Sequence, residues 1–259
     1  METIFIGLLI PMLGIVLGSS VVFLTRQQMS GLLQKSLMGF AAGVMVSASF
    51  WSLLLPSFEM GADGGKLAVM PVAVGFLAGM GFLLLIDVLT PHLHIGANQP
   101  EGPATHLSRT TMLFLAVTIH HLPEGMAVGV VLAGAEQADV GISVASALIV
   151  SLGIAIQNVP EGAIVSIPMR AAGKSRGQSF FIGCLSGVAQ PIGALLVIVL
   201  ASVAVPLLPY FLAFAAGAML YVVVEELIPE ASNGQHSNLS TVGFAVGFVI
   251  MMVLDVVLG

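Results

Sequence analysis

An all-α membrane protein with about eight transmembrane helices is the fold class this sequence of 259 residues predicts. Three observations carry it. Only 8% of residues are charged and 58% are hydrophobic, where a soluble domain has roughly 25% charged. The apolar runs are close to 20 residues long, the length a helix needs to cross a bilayer, and they lack the alternation of a membrane barrel. Segments in the two halves also resemble each other. The expected spans are 4–24, 36–58, 69–89, 109–133, 141–168, 178–203, 207–229 and 239–258 of one transmembrane domain, 1–259.

The first run follows Met-Glu-Thr, and its first positive charge, Arg26, comes after it. A signal peptide carries positive charge before its apolar run, so 4–24 is expected as a retained helix. The second span holds Ser47, Ser49 and Ser52, whose hydroxyls are expected to bond back within their own helix. The third ends near Asp87. The connection 90–108 contains Pro91, His92, His94, Pro100, Pro103 and His106, and is expected to be a mobile polar loop. The sixth span carries Gln190-Pro191 and the lone Cys184, read as a small packing residue. Glu225, Glu226 and Glu230 close the seventh span, and Asp255 is expected to be solvated at the end of the eighth. Trp51 and Tyr221 give no specific signal.

Six of the seven basic residues (Arg26, Lys35, Arg109, Arg170, Lys174 and Arg176) fall on one side of this threading; only Lys66 does not. Positive loops stay cytoplasmic, which puts both termini outside. No basic run suggests nucleic acid. Gly-x-x-x-Gly pairs at 14/18, 39/43, 75/79, 125/129, 183/187 and 243/247 are expected to let helices approach closely. Phe40-Ala-Ala-Gly-Val-Met45 in span two matches Phe214-Ala-Ala-Gly-Ala-Met219 in span seven. The charge argument runs these spans in opposite directions, as in an inverted repeat. Spans one to three would then pair with six to eight around four and five, a 3+2+3 arrangement.

Spans four and five carry the chemistry. Residues 120–125 read His-His-Leu-Pro-Glu-Gly and 157–162 read Gln-Asn-Val-Pro-Glu-Gly. His120 and Glu124 are i and i+4 on one helical face, as are Gln157 and Glu161. Pro123 and Pro160 remove backbone donors and free carbonyls of Ile119 and Ile156. A carboxylate inside a membrane costs about 2.5–3.5 kcal/mol even on the mild scale, so two in matching motifs imply a use. One histidine pairing one glutamate to lock two helices is the plain alternative, and the duplication argues against it. His120, Glu124, Gln157 and Glu161 are expected to converge near the midplane, with His121 and Asn158 forming a neighbouring cluster. Gln190 would complete the centre or satisfy a neighbouring carbonyl. Nitrogen and oxygen ligands without thiolate suit zinc, iron(II), manganese, cobalt or cadmium and argue against copper(I). Asp87, His92, His94, Glu225 and Glu226 share a level on the cytoplasmic side, either as a solvated acidic rim or as a release site.

At these residues the chain resembles the ZIP (Zrt/Irt-like) family of metal transporters, most closely its bacterial GufA-like branch. The resemblance implies a 3+2+3 bundle, often a homodimer in the cell membrane, that moves divalent metal, zinc foremost, into the cytoplasm. The metal is substrate, and no catalytic cofactor or enzymatic activity is implied. By position, His120, Glu124, Gln157 and Glu161 match the family's main metal site. His121, Asn158 and Gln190 match the adjacent second site. Asp87, His92, His94, Glu225 and Glu226 resemble its cytoplasmic exit. The family often has asparagine where His121 stands and glutamate where Gln190 stands. The competing readings are an intramembrane metal-dependent hydrolase, although no His-Glu-x-x-His occurs, and a metal-sensing scaffold that binds without flux.

Overall fold

The computed structural model of the chain describes residues 2–24, 29–61, 65, 67, 69–93, 100–137, 141–203, 205–233 and 237–258. Eight helices among them are long and apolar enough to cross a membrane: α1 (Glu2–Phe23), α2 (Gly31–Met60), α3 (Val69–Leu89), α4 (Thr110–Ala135), α5 (Val144–Ala171), α6 (Arg176–Ala201), α7 (Leu208–Ser232) and α8 (Leu239–Leu258). No β-strand forms among the described residues; one isolated bridge joins His92 to Glu101. Helix α2 starts five residues before the expected 36 because the Ser30 side chain accepts the N–H of Leu33 and caps it. Lys35 hides that first turn from a hydropathy reading.

Helices α4 and α5 are the most enclosed, with 78% of their apolar windows buried, against 11% for α8. They therefore form the centre. Helix α1 packs on α5, α6 on α4, α2 on α8 and α3 on α7. Further contacts join α4 to α5, α4 to α7 and α2 to α5. This set of pairings is unchanged when α1, α2, α3 and α4 are exchanged with α6, α7, α8 and α5.

Small residues set these approaches. A Cβ on Gly14 or Gly18 would strike the carbonyls of Ala155 and Val159, and one on Gly125 or Gly129 those of Gln190 and Ala194. Five of the six glycine pairs meet a neighbouring backbone in this way; Gly183 and Gly187 instead meet side chains of Ser19, Ser166 and Ile15. The contact at Gly125 brings the backbone of Gln190 onto α4.

Two helices widen locally. Helix α2 passes through a π-helical turn at Ser49–Leu54 and α7 through one at Val223–Leu227. Each begins nine residues after the first phenylalanine of the matching segments, Phe40 and Phe214. Pro56 and Pro229 follow and break the α-helical hydrogen-bond ladder, a gap that a wider turn accommodates. The serines of α2 do not all back-bond as expected. Ser52 donates across to Asp255 of α8, at 2.7 and 2.9 Å from its two oxygens. The hydroxyls of Ser47 and Ser49 are buried without a hydrogen-bond partner.

Candidate metal centre

Both motif helices run through their prolines, Pro123 and Pro160, without interruption. Helix α6 does not: it breaks between Ser186 and Ala189. There the N–H of Gln190 bonds to the carbonyl of Gly187. The carbonyl of Ser186 thus loses its helical donor, and His121 Nδ1 takes it at 2.9 Å. A backbone carbonyl can only accept, so the proton lies on Nδ1 and Nε2 is left with its lone pair. That atom stands 3.2 Å from Glu161 Oε2, and neither has a hydrogen-bond donor. An imidazole fixed through one nitrogen, with the other aimed at buried carboxylate, is oriented as a metal-binding histidine would be.

His121, Glu124 and Glu161 each bring one ligand atom within 4.8 Å of the others, and all three are buried. Glu124 accepts from Gln157 Nε2 at 3.0 Å and from Gln190 Nε2 at 2.5 Å. The carbonyl oxygen of Gln157 is buried with no partner. Asn158 and Gln190 pair their amides reciprocally, at 3.0 and 3.1 Å, and Asn158 also donates to the carbonyl of Pro11 at 2.9 Å.

His120 shares a narrow cavity with Glu161 and Glu226. Its Nε2 faces a carboxylate oxygen of Glu226 on α7. The histidine facing both central glutamates is His121, three residues before Glu124, because the break in α6 captures it. His120, Glu161, Glu226 and Glu230 line one narrow cavity of about 20 Å³. Glu225 is exposed, so the adjacent pair separates.

On the same side of the bundle, His92 meets Asp87 at 2.9 Å, and its Nδ1 bonds to the carbonyl of Thr90 at 2.8 Å. The Tyr221 hydroxyl donates to Asp87 at 3.0 Å. Glu101 completes this cluster with Asp87 and His92 through antiparallel backbone pairing with His92. Sequence reasoning missed Glu101 and Tyr221: one is brought in by backbone pairing with His92, the other by helix packing. His94 lies outside the described residues, as do Arg26 and Lys66. At the opposite face α2, α4 and α8 end and α5 and α7 begin. A cavity of about 800 Å³ opens there, lined in part by Trp51, Ser52, Glu59, Ser146 and Asp255.

Eight helices around a buried centre of imidazole, carboxylate and amide define a multi-pass membrane protein of transporter type. Residues 96–255 match the family model described as ZIP Zinc transporter. The chain is 36% identical to zinc transporter ZIP11 of Homo sapiens over 93% of each chain. It is 38% identical to zinc transporter GufA of Myxococcus xanthus over 85% of each. To zinc transporter ZIPB of Bordetella bronchiseptica it is 36% identical, over 87% of this chain and 72% of that one. The chain belongs to the ZIP zinc transporter family.

Proposed function

We propose that this protein carries divalent cations, zinc foremost, across the cell membrane into the cytoplasm through the centre on α4 and α5. The observation that carries this reading is the trio of buried ligand atoms on His121, Glu124 and Glu161, with a histidine nitrogen turned towards carboxylate and no donor between them. Burying such groups is unfavourable unless a cation joins them or a proton neutralises them. Gln157 adds a carbonyl oxygen once its amide turns. The 800 Å³ cavity is the entry vestibule. His120 and Glu226 form the next station, and the Asp87–His92–Glu101 cluster the exit. The names of the relatives as zinc transporters support zinc over iron, manganese, cobalt or cadmium.

Positive loops on the side of the exit cluster make that side cytoplasmic, with both termini outside. The bundle is a 3+2+3 inverted repeat that works as a homodimer. No feature of the site favours the hydrolase reading. Uptake into proteoliposomes across a panel of zinc, iron(II), manganese, cobalt and cadmium, with internal pH recorded, tests the proposal. Zinc should accumulate fastest. Binding without accumulation of any of the five would point to a sensing scaffold instead.

A further inference from the structure

Three span ends meet around a small cavity on the side proposed to be cytoplasmic. Helix α4 begins there at Thr110, α5 ends at Ala171 and α6 begins at Arg176. The cavity holds about 180 Å³. One part of its wall is polar, with Ser108, Thr110 and Thr111 at the start of α4 and Lys174 in the link from α5 to α6. The rest is apolar and lies deeper in the spans, with Phe114, Met169, Ile182 and Leu185.

The charge at this cavity has one sign. No aspartate or glutamate occurs in 102–123 or in 162–224, the stretches that supply its whole lining. Lys174 forms no ion pair among the described residues. Its carbonyl accepts from Arg170 Nη1 at 2.8 Å, which draws a second positive charge to the link. The hydroxyls also leave one donor over. Ser108 Oγ accepts the N–H of Thr111 at 3.2 Å and lies 2.9 and 2.8 Å from the hydroxyls of Thr110 and Thr111. With two lone pairs and one hydrogen, it accepts from one threonine and donates to the other. The threonine that accepts keeps its own O–H for another partner.

An ammonium and a hydroxyl donor with no carboxylate beside them suit an anion that only accepts, such as a phosphate. Size separates the sources of such a group. Pockets that enclose a drug-sized ligand run to about 300–1,000 Å³, so this one takes a head group and leaves the rest of the molecule outside. Apolar surface waits there: Leu185 is 43% exposed, and Phe181, one turn earlier on the same face of α6, is 65% exposed.

We propose that this cavity binds the phosphate head group of an anionic phospholipid, with Lys174 as its main contact and the acyl chains against Phe181 and Leu185. Basic pockets between spans on the cytoplasmic side recognise lipid head groups in this way. A lipid seated there ties the ends of α4, α5 and α6 together. The metal centre plays no part in it.

Native mass spectrometry of the purified, delipidated full chain in neutral detergent, with dioleoylphosphatidylglycerol or dioleoylphosphatidylcholine added, tests this. Phosphatidylglycerol should be retained as one adduct per chain, at lower concentration than phosphatidylcholine, and should raise the unfolding temperature. Lys174→Gln should weaken that adduct roughly fivefold, the effect of one basic residue at an anionic surface. Lys35→Gln, on the same side but outside the cavity lining, should leave it unchanged. Equal retention of the two lipids overturns the proposal. So does equal weakening, or none, in the two variants, since charge at this cavity would then count no more than charge elsewhere. Glycerol 3-phosphate is the soluble control: displacement of the lipid by an equal concentration of it would mean that the acyl chains add nothing, and the lipid assignment would fall.

Discussion

At the scale of single residues, the proton on His121 Nδ1 is the controlling detail. In the proposed centre it leaves Nε2 as a ligand only while the ring stays neutral, and Glu124 and Glu161 would bind metal only when ionised. Protons therefore compete with the cation. Equilibrium zinc affinity should fall as pH drops from 7.5 to 5, and a flat profile by calorimetry would contradict a histidine–carboxylate centre. His121→Ala should weaken binding by at least the roughly 10–100-fold typical of losing a supporting partner. His120→Ala should instead lower flux while sparing most equilibrium binding, because that ring faces Glu226. Equal loss of binding in the two variants would refute the division of labour. The motifs themselves were legible in the sequence, since Glu124 and Glu161 occupy matching places in adjacent spans. Which histidine faces both central glutamates was not. That choice depends on a carbonyl released in α6, where Pro191 and Gly187 unsettle the helix some 65 residues further along the chain.

At the scale of helices, backbone contact between α4 and α6 holds Gln190 at the centre. Gly129→Leu would drive a side chain into the backbone of Ala194. Overpacking of that kind costs about 1–3 kcal/mol. The variant should unfold at lower temperature in detergent and transport poorly, whereas Gly81→Leu, where the added side chain meets open space, should behave as wild type. The glycine pairs could be read from sequence because their spacing is helical. The π-helical turns could not, since they depend on how a gap before proline is resolved in packed surroundings. Nor could the link from Ser52 to Asp255, which joins residues 203 positions apart. The loop after α3 is a further case: its histidines were legible, but the pairing of Glu101 with His92 was not, and beside it Gly102 lies against the backbone of Thr90 with a φ of 76° that few other residues adopt. Replacing His92 and His94 together with alanine should slow release or alter regulation more than it weakens central binding. A double variant that no longer binds zinc at the centre would contradict that separation.

For the whole molecule, composition and the length of the apolar runs carried the fold class, because so few charges leave no other solvent for eight apolar helices. Which helices pack together was only partly legible: the match between Phe40–Met45 and Phe214–Met219 pointed to related halves, while the pairing of α1 with α5 and α4 with α6 comes from glycine faces that meet only in three dimensions. The proposed orientation predicts that Lys174→Cys, in a Cys184→Ser background, reacts with an impermeant thiol reagent only from the cytoplasmic side. The central claim is that the cation crosses through the buried glutamates. Zinc uptake into proteoliposomes containing equal amounts of correctly inserted wild-type protein and Glu161→Ala tests it most directly. The account predicts time-dependent, saturable uptake by the wild type and a loss of at least tenfold in the variant, in line with the penalty for disturbing a metal site. Equal uptake by the two proteins would contradict it.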